Sequence, residues 1–247
     1  MTMHPQLAQA LNRRNALKVI SGLNNFDRQR VIAVVKAAEA GGATLVDIAA
    51  QPELIAAVRN VTSLPICVSA VEPELFVSAI DAGADLIEIG NFDSFYEQGR
   101  RFETAEVLEL TQRTRALLPE ATLSVTVPHI LALDEQVKLA EQLVQIGADI
   151  IQTEGGTSIQ PLEPGVRGLI EKAAPTLAAA HSISQAIEVP VLCASGLSSV
   201  TVPMAIAAGA AGVGVGSAIN QLNSEVAMVA AVRSLVEALA RSQVTVS

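Results

Sequence analysis

Residues 190–220, PVLCASGLSSVTVPMAIAAGAAGVGVGSAIN, hold two apolar runs that each close on a small-residue turn, Ser195-Gly196 and Gly216-Ser217, before a helical pattern begins. Glycine at such a turn lets a ligand approach the backbone, and freed N–H groups there suit an anion. Adjacent turns after the last two strands of a parallel barrel form the usual phosphate cradle. Ser195, Gly196, Gly214, Gly216 and Ser217 are therefore the expected phosphate-binding residues. Gly-rich turns also arise from tight barrel packing alone. Two successive Ser-Gly turns point to a ligand more specifically than either does by itself.

Working outward, the same grammar recurs. GGATLVDIA from Gly41, AGADLIEIG from Ala82, IGADIIQTEG from Ile146 and AGAAGVGVG from Ala208 each read as a helix ending near Gly, a turn and a buried strand. Between them lie ALKVISGL from Ala16, LPICVSAV from Leu64, TLSVTVPH from Thr122 and PVLCASGL from Pro190, rich in β-branched residues. Helical patterns fill the gaps. Asp27 is the expected cap of a helix carrying Val31, Val34 and Val35, and Asp134 of one carrying Val137, Ala140 and Leu143. Eight strands alternating with helices predict an α/β (β/α)8 TIM barrel with a parallel sheet, spanning residues 1–247 as one domain, with 1–15 as an N-terminal capping helix. An open doubly wound sheet is the alternative. No GxGxxG follows the first strand, which weighs against it.

Composition narrows the partners. The chain has 247 residues, is 50% hydrophobic and carries a formal charge of -9, with only 16 Lys and Arg, so a phosphate-backbone footprint for nucleic acid is not expected. Cys67 and Cys193 sit inside apolar runs and read as reduced core residues. The start has no signal-peptide pattern, which predicts a cytoplasmic protein. Val189–Ser224 lacks charge, but Gly, Ser, Asn and Pro203 interrupt it, so a buried sheet is expected rather than a membrane span.

Ionisable residues inside apolar strands need an explanation, because an unpaired buried ion costs several kcal/mol. Lys18, Asp47 and Glu88 fall by alternation on the inner barrel face, where they should pair. Lys18 beside carboxylates can serve as a proton shuttle or an imine-forming nucleophile, with Glu88 or Asp47 as acid/base. The competing reading is a structural ion-pair network. His129, just after the fifth strand, and Glu154, ending DIIQTE, complete the candidate catalytic set, although a lone His at a helix start is often structural.

Two segments interrupt the regular count. Asn91–Arg101 gathers Phe92, Phe95 and Tyr96 in a chain that is 2% aromatic, and could present an interface. Gly155–Gly168 reads as a Gly- and Pro-rich loop, a candidate lid whose Arg167 could reach an anion. Asn91, Thr126, Gln152 and Arg167 are the expected lid or substrate contacts. No His/Cys/carboxylate spacing matches a closed metal site, so no metal ligand is assigned. No cofactor is required; Mg²⁺ bridging a carboxylate and a substrate phosphate, or a flavin phosphate in the cradle, both stay open.

Together ALKVISGLNNFD, GATLVDIAA, LPICVSAVEPELF, DLIEIGNFDSFYEQGR, LSVTVPHIL, DIIQTEGGTS, APTLAAA and the segment quoted first resemble, over nearly the whole chain, the hypothetical chloroplast reading frame family ycf twenty-three of cyanobacteria and some plastid genomes. The resemblance implies a photosynthetic lineage and a cytoplasmic or stromal barrel. It brings no reaction and no catalytic residue. The two turns alone are similar to the phosphate sites of the tryptophan synthase alpha chain, thiazole synthase and sugar-phosphate epimerases, whose acid/base pairs do not map here. Three functions follow as expectations: a lyase or isomerase of a small phosphorylated metabolite, a non-catalytic metabolite-binding barrel, or a flavin-phosphate oxidoreductase. A homo-oligomer is compatible with all three.

Overall fold

The computed structural model describes residues 3–96, 98–156 and 160–244. In chain order the elements are α1 (Pro5–Asn12), β1 (Ala16–Gly22), α2 (Arg28–Gly41), β2 (Leu45–Ala49), α3 (Pro52–Arg59), β3 (Ile66–Ala70), α4 (Pro73–Asp81), β4 (Leu86–Ile89), α5 (Asp93–Tyr96), α6 (Thr104–Leu117), β5 (Leu123–Thr126), α7 (Leu133–Ile146), β6 (Ile150–Gln152), α8 (Gly165–Ala186), β7 (Val191–Ala194), α9 (Val202–Ala207), β8 (Gly212–Val215), α10 (Ser217–Asn220) and α11 (Glu225–Val244). Every strand pairs in parallel with its sequence neighbours, and β1 also pairs with β8, with Lys18 opposite Gly214. That last pairing closes the sheet into the (β/α)8 barrel and sets aside the open sheet.

Local chemistry explains most boundaries. Asp27 Oδ1 accepts from Gln29 N at 3.0 Å and Arg30 N at 3.1 Å, capping α2, and Gly42 ends that helix with φ 89°. Asp134 does not cap α7. Ala132 occupies that position, with its N–H donating to Glu135 Oε2 at 3.1 Å, while Asp134 lies in the first turn and pairs with Lys138 at 3.1 Å. The negative end of a side chain stabilises a helix N-terminus anywhere in its first turn, so sequence alone places such a cap only to within a residue or two.

The core has two parts. Outward-facing strand residues such as Val19, Ile48, Val68 and Ile87 pack on the helices. Inside the barrel, Ala16, Leu45, Cys67, Leu86, Ile150 and Leu192 form a separate apolar plug, closed from the N-terminal end by Leu7 and Leu11 of α1. Among the described residues no helix is long and apolar enough to cross a membrane.

The ring of helices closes where α11 meets α2. Gly41 is buried there, and a Cβ on it would overlap the side chain of Val232. Overpacking of this kind costs about 1–3 kcal/mol. Gly41→Ala should lower the urea midpoint accordingly, and adding Val232→Ala should recover part of the loss, so that the two substitutions are less than additive. Additive costs would show that the helices move apart freely.

Candidate functional site

Above the apolar plug the barrel interior becomes polar. Lys18 Nζ donates to Glu88 Oε2 at 2.6 Å and to Gln152 Oε1 at 3.0 Å, and lies 3.9 Å from Asp47 Oδ2. Ser124 donates to the same Glu88 oxygen at 2.7 Å, and Ser69 to Asp47 Oδ1 at 2.6 Å. Gln152 Nε2 donates to Glu88 Oε1 at 2.8 Å and to Thr126 Oγ1 at 3.2 Å. Asn91 Nδ2 reaches Asp47 Oδ2 at 3.3 Å. The structure therefore brings Lys18 of β1, Asp47 of β2 and Glu88 of β4 together, inward-pointing charges that meet across the interior of the closed barrel.

This layer is sealed. Lys18 is 1% exposed, Asp47 and Glu88 are fully buried, and none of the three lines the cavity at the barrel mouth. Gln152 and Thr126 do line it, and they lie over the ion pairs. Burial pulls the Lys18 pKa down, but the charges of Asp47 and Glu88 outweigh it and hold the ammonium protonated above its ordinary range. Burial pushes the Asp47 carboxyl up, against the opposing pull of Lys18, to about 6. An ammonium held this way is a poor nucleophile, so the imine role expected of Lys18 has neither access nor protonation state in its favour.

The mouth opens at the C-terminal strand ends as a cavity of about 520 Å³. On one side stand the turns after β7 and β8 with the end of β1. Ser195 has φ 82° and Gly196 φ 70°, both left-handed, and a Cβ at Gly196 would stand 2.6 Å from the Lys172 carbonyl. The Ser195 hydroxyl is buried at the cavity wall with no partner among the described residues. Gly214, Gly216 and Ser217 also line the cavity. Asn220 Nδ2 donates to Ile20 O at 2.7 Å and Ser21 O at 3.3 Å, tying α10 to the end of β1.

The opposite side carries the side-chain chemistry. Glu154, 5% exposed, accepts from the Asp93 N–H at 2.9 Å, the Tyr96 hydroxyl at 3.3 Å and the His129 N–H at 3.4 Å. His129 Nδ1 lies 3.0 Å from Glu154 Oε2 and 3.3 Å from Asp93 Oδ1. Burial lowers the His129 pKa, but the bond to Glu154 and the charges of Glu154 and Asp93 raise it overall, and burial raises that of Glu154. Asp93 and Tyr96 were not among the expected site residues. Their signal was position: Asp93, His129 and Glu154 follow the ends of three consecutive strands within four residues.

Three expectations need correction. Arg167 is in the exposed first turn of α8, which starts at Gly165, and does not line the cavity; the Gly-rich stretch ends sooner than Gly168, and its residues 157–159 fall outside the described ones. Phe92 is fully buried, stacked 4.4 Å from Phe102, and Phe95 packs edge-on to Phe102 at 5.4 Å. With Tyr96 turned toward Glu154, these aromatics hold the loop after β4 and do not form an exposed interface. Metal-ligand spacing was absent from the sequence, yet Asp93, His129 and Glu154 each offer a ligand atom within 4.8 Å of the others.

Known proteins fall into two groups. Residues 3–245 match the family described as "Protein of unknown function (DUF561)". Proteins named "Uncharacterized protein ycf23" are 41% identical over 93% of this chain and 84% of the relative in Pyropia yezoensis, and 43% identical over 92% and 93% in Cyanophora paradoxa. Solved structures share only the fold. Thiamine phosphate pyrophosphorylase from Pyrococcus furiosus aligns with TM-score 0.62 at 17% identity, covering 94% of this chain and 98% of its own. A 3-hexulose-6-phosphate synthase aligns at 0.63 and 18%, covering 90% and 99%. (S)-3-O-geranylgeranylglyceryl phosphate synthase from Thermoplasma acidophilum, in complex with sn-glycerol-1-phosphate, aligns at 0.64 and 13%, covering 97% and 99%. The chain belongs to the DUF561/ycf23 family.

The sealed layer yields two expected outcomes. Lys18→Met leaves Glu88 and Asp47 buried without their cation and should destabilise by about 3–5 kcal/mol, whereas adding Glu88→Met should restore much of the loss. Equal destabilisation in the double variant would mean that the pair is not the source. Asp47, raised in the fold, contributes stability that is fully present below its unfolded pKa near 4 and is lost as pH rises through about 6. The stability difference between wild type and Asp47→Asn, followed by urea unfolding from pH 4 to 7, should shift in favour of Asp47→Asn as pH rises. A flat difference would refute the assignment.

Proposed function

We propose that this member of the DUF561/ycf23 family is an enzyme of a small phosphorylated metabolite, of lyase or isomerase type. The phosphoryl group would rest on the turns after β7 and β8, and the reacting carbons would face Glu154 and Asp93, with His129 behind them, hydrogen-bonded to Glu154. The observation that carries the reading is Ser195: a buried hydroxyl without a partner among the described residues, on a left-handed non-Gly backbone, at the wall of the cavity. Non-Gly residues in that conformation cost on the order of 1–3 kcal/mol and concentrate at ligand sites, and a buried hydroxyl without a partner costs a similar amount. Phosphate oxygens supply the missing acceptor, with Gly196 and Gly216 leaving the backbone open to approach. The fold neighbours named above include a complex with sn-glycerol-1-phosphate and enzymes titled by phosphorylated compounds, which supports the ligand class.

Acid–base chemistry is placed at the opposite wall because His129 and Glu154 are hydrogen-bonded there and both titrate above their ordinary values. Asn91, Thr126 and Gln152 would orient the substrate between the two walls. Lys18, Asp47 and Glu88 act through Gln152, fixing the cavity floor, and do not touch substrate. A purely metabolite-binding role has less support, because the aromatic segment that could have formed its interface is packed inward.

Ser195→Gly separates ligand from fold. It removes the hydroxyl and relieves the left-handed strain, so thermal stability should hold or rise by up to about 1 kcal/mol. Affinity for phosphate monoesters, measured by calorimetry across triose, pentose and glycerol phosphates, should fall about ten- to hundredfold, the worth of a hydrogen bond to a charged group. Wild type that binds no member of the panel, or a variant that binds as wild type does, would sink the reading.

A further inference from the structure

The strain at Ser195 needs a cause. Two consecutive residues in the left-handed region, Ser195 at φ 82° and Gly196 at φ 70°, persist only where the surrounding structure over-determines them. The sheet does not supply that constraint. β6 pairs with β7 through Ile151 and Gln152, and the bond from Thr153 N to Leu192 O at 2.9 Å carries the ladder one step further. The next rung would join Ala194 to the backbone beyond Thr153, and side chains take its place. Ala194 N donates to Thr153 Oγ1 at 3.3 Å, Thr153 Oγ1 lies 2.6 Å from Thr176 Oγ1, and Thr176 Oγ1 donates to Ala194 O at 2.5 Å.

The donor order in this ring is forced. A carbonyl only accepts, so the single Thr176 hydroxyl proton goes to Ala194 O. The proton between the two hydroxyls then comes from Thr153, whose oxygen in turn accepts the Ala194 N–H. The circuit begins and ends on one residue, and it fixes both peptide groups of Ala194, including the one that leads into Ser195. Thr153 and Thr176 are 1% and 0% exposed, so no water replaces a hydroxyl lost from the ring. A helical threonine often turns its hydroxyl back on its own helix, as Thr111 does to Val107 O at 2.8 Å; Thr176 instead reaches outward to β7. One turn earlier on α8, the Lys172 carbonyl closes on Gly196, where an added Cβ would come within 2.6 Å. α8 therefore holds the chain on both sides of Ser195.

We infer that Thr176 is a positioning residue for the turn after β7. It does not line the cavity, but its hydroxyl holds Ala194 so that Ser195 keeps the left-handed backbone on which its own hydroxyl meets the cavity wall. Valine at 176 would fill the same space and could not bridge Thr153 to Ala194. The inference rests on the phosphoryl reading for what the turn is for, and on the ring alone for how the turn is held.

The first measurement needs no ligand: native-state amide exchange of the ¹⁵N-labelled full chain. Thr176→Val keeps the shape and removes the hydroxyl, and should accelerate exchange of the Ala194 amide about tenfold more than that of Val46 or Val68, in strands across the barrel. Thr176→Ser restores the hydroxyl and should return the Ala194 rate to within about threefold of wild type. Thr111→Val, which removes a buried hydroxyl bonded within its own helix, should leave that rate unchanged. Acceleration spread evenly over the barrel, or no rescue by serine, would reduce Thr176 to a packing residue and overturn the inference. The second measurement is calorimetry with glycerol phosphate. Thr176→Val should weaken binding about tenfold and Thr176→Ser should not. Adding Ser195→Gly to Thr176→Val should weaken it no further than the weaker single variant, because both act through one hydroxyl. Additive losses, or full affinity in Thr176→Val, would also overturn the inference. Wild type that binds no glycerol phosphate counts against the phosphoryl reading, and the exchange result still decides whether Thr176 holds the turn. Should Thr176→Val lack a cooperative thermal transition, Thr153→Ala opens the same ring from the β6 side and is read by exchange alone, with the same expected and contrary results.

Discussion

A single ammonium group at the centre of the barrel dictates much of what surrounds it. Lys18 is inside a closed sheet, out of reach of water, and its charge has to be met within the protein. Glu88 meets it at 2.6 Å and Asp47 at 3.9 Å, from strands β4 and β2. Two carboxylates around one cation would overshoot neutrality. Burial, with the charge of Glu88 adding to it and Lys18 opposing it, pushes the Asp47 carboxyl up to about 6, so this acid takes up a proton more readily than an exposed one. Ser69, Ser124, Thr126 and Gln152 supply the remaining hydrogen bonds. Apolar replacements of buried ion pairs are often as stable, so the worth of this layer to stability lies in its being complete: loss of one partner leaves a buried charge unmet.

That layer also decides where the cavity ends. Below it, the barrel is filled with Leu45, Leu86, Ile150 and Leu192 and stoppered by α1. Above it, the inward residues shrink to Ala194, Gly214 and Gly216, and space opens. Gln152 stands at the boundary, bonded downward to Lys18 and Glu88 while lining the cavity floor. Any ligand chemistry in this barrel consequently happens above Gln152.

The strands and their order were legible because period-two burial and helix-ending glycines are local signals, repeated until closure was the natural outcome. The inward direction of Lys18, Asp47 and Glu88 followed from the same alternation. Their isolation from the cavity did not, since it depends on how high Gln152 stands relative to them, a matter of barrel stagger rather than of any one strand. Arg167 was misplaced because α8 begins at Gly165, a residue that usually marks an ending. The cluster of Asp93, His129 and Glu154 is assembled by three loops separated by 25 residues or more, with no spacing pattern that a linear reading could detect. Phe92 and Phe95 read as an interface because the segment was taken to end at Arg101, one residue short of Phe102, their packing partner.

The glycines of the last strands illustrate how one residue type can serve the fold and the site in different proportions. A Cβ at Gly212 would stand 2.6 Å from Ala16, and one at Gly214 would stand 2.9 Å from Ala194, so both are required for β8 to sit between its neighbours. Their presence would be expected in a barrel that bound nothing. Gly216 is different: a Cβ there meets only ordinary contacts, the nearest at 3.4 Å, so packing does not require it, although its backbone, φ -115° and ψ -77°, lies outside the usual helical region. Ser195 is the converse case, a residue with a side chain where glycine would be easier. Packing explains Gly212 and Gly214; it does not explain the glycine at 216 or the strained serine at 195 on the same wall of the cavity. Those two positions, a glycine that packing does not require and a serine whose side chain costs it, are the support for the phosphoryl site proposed above.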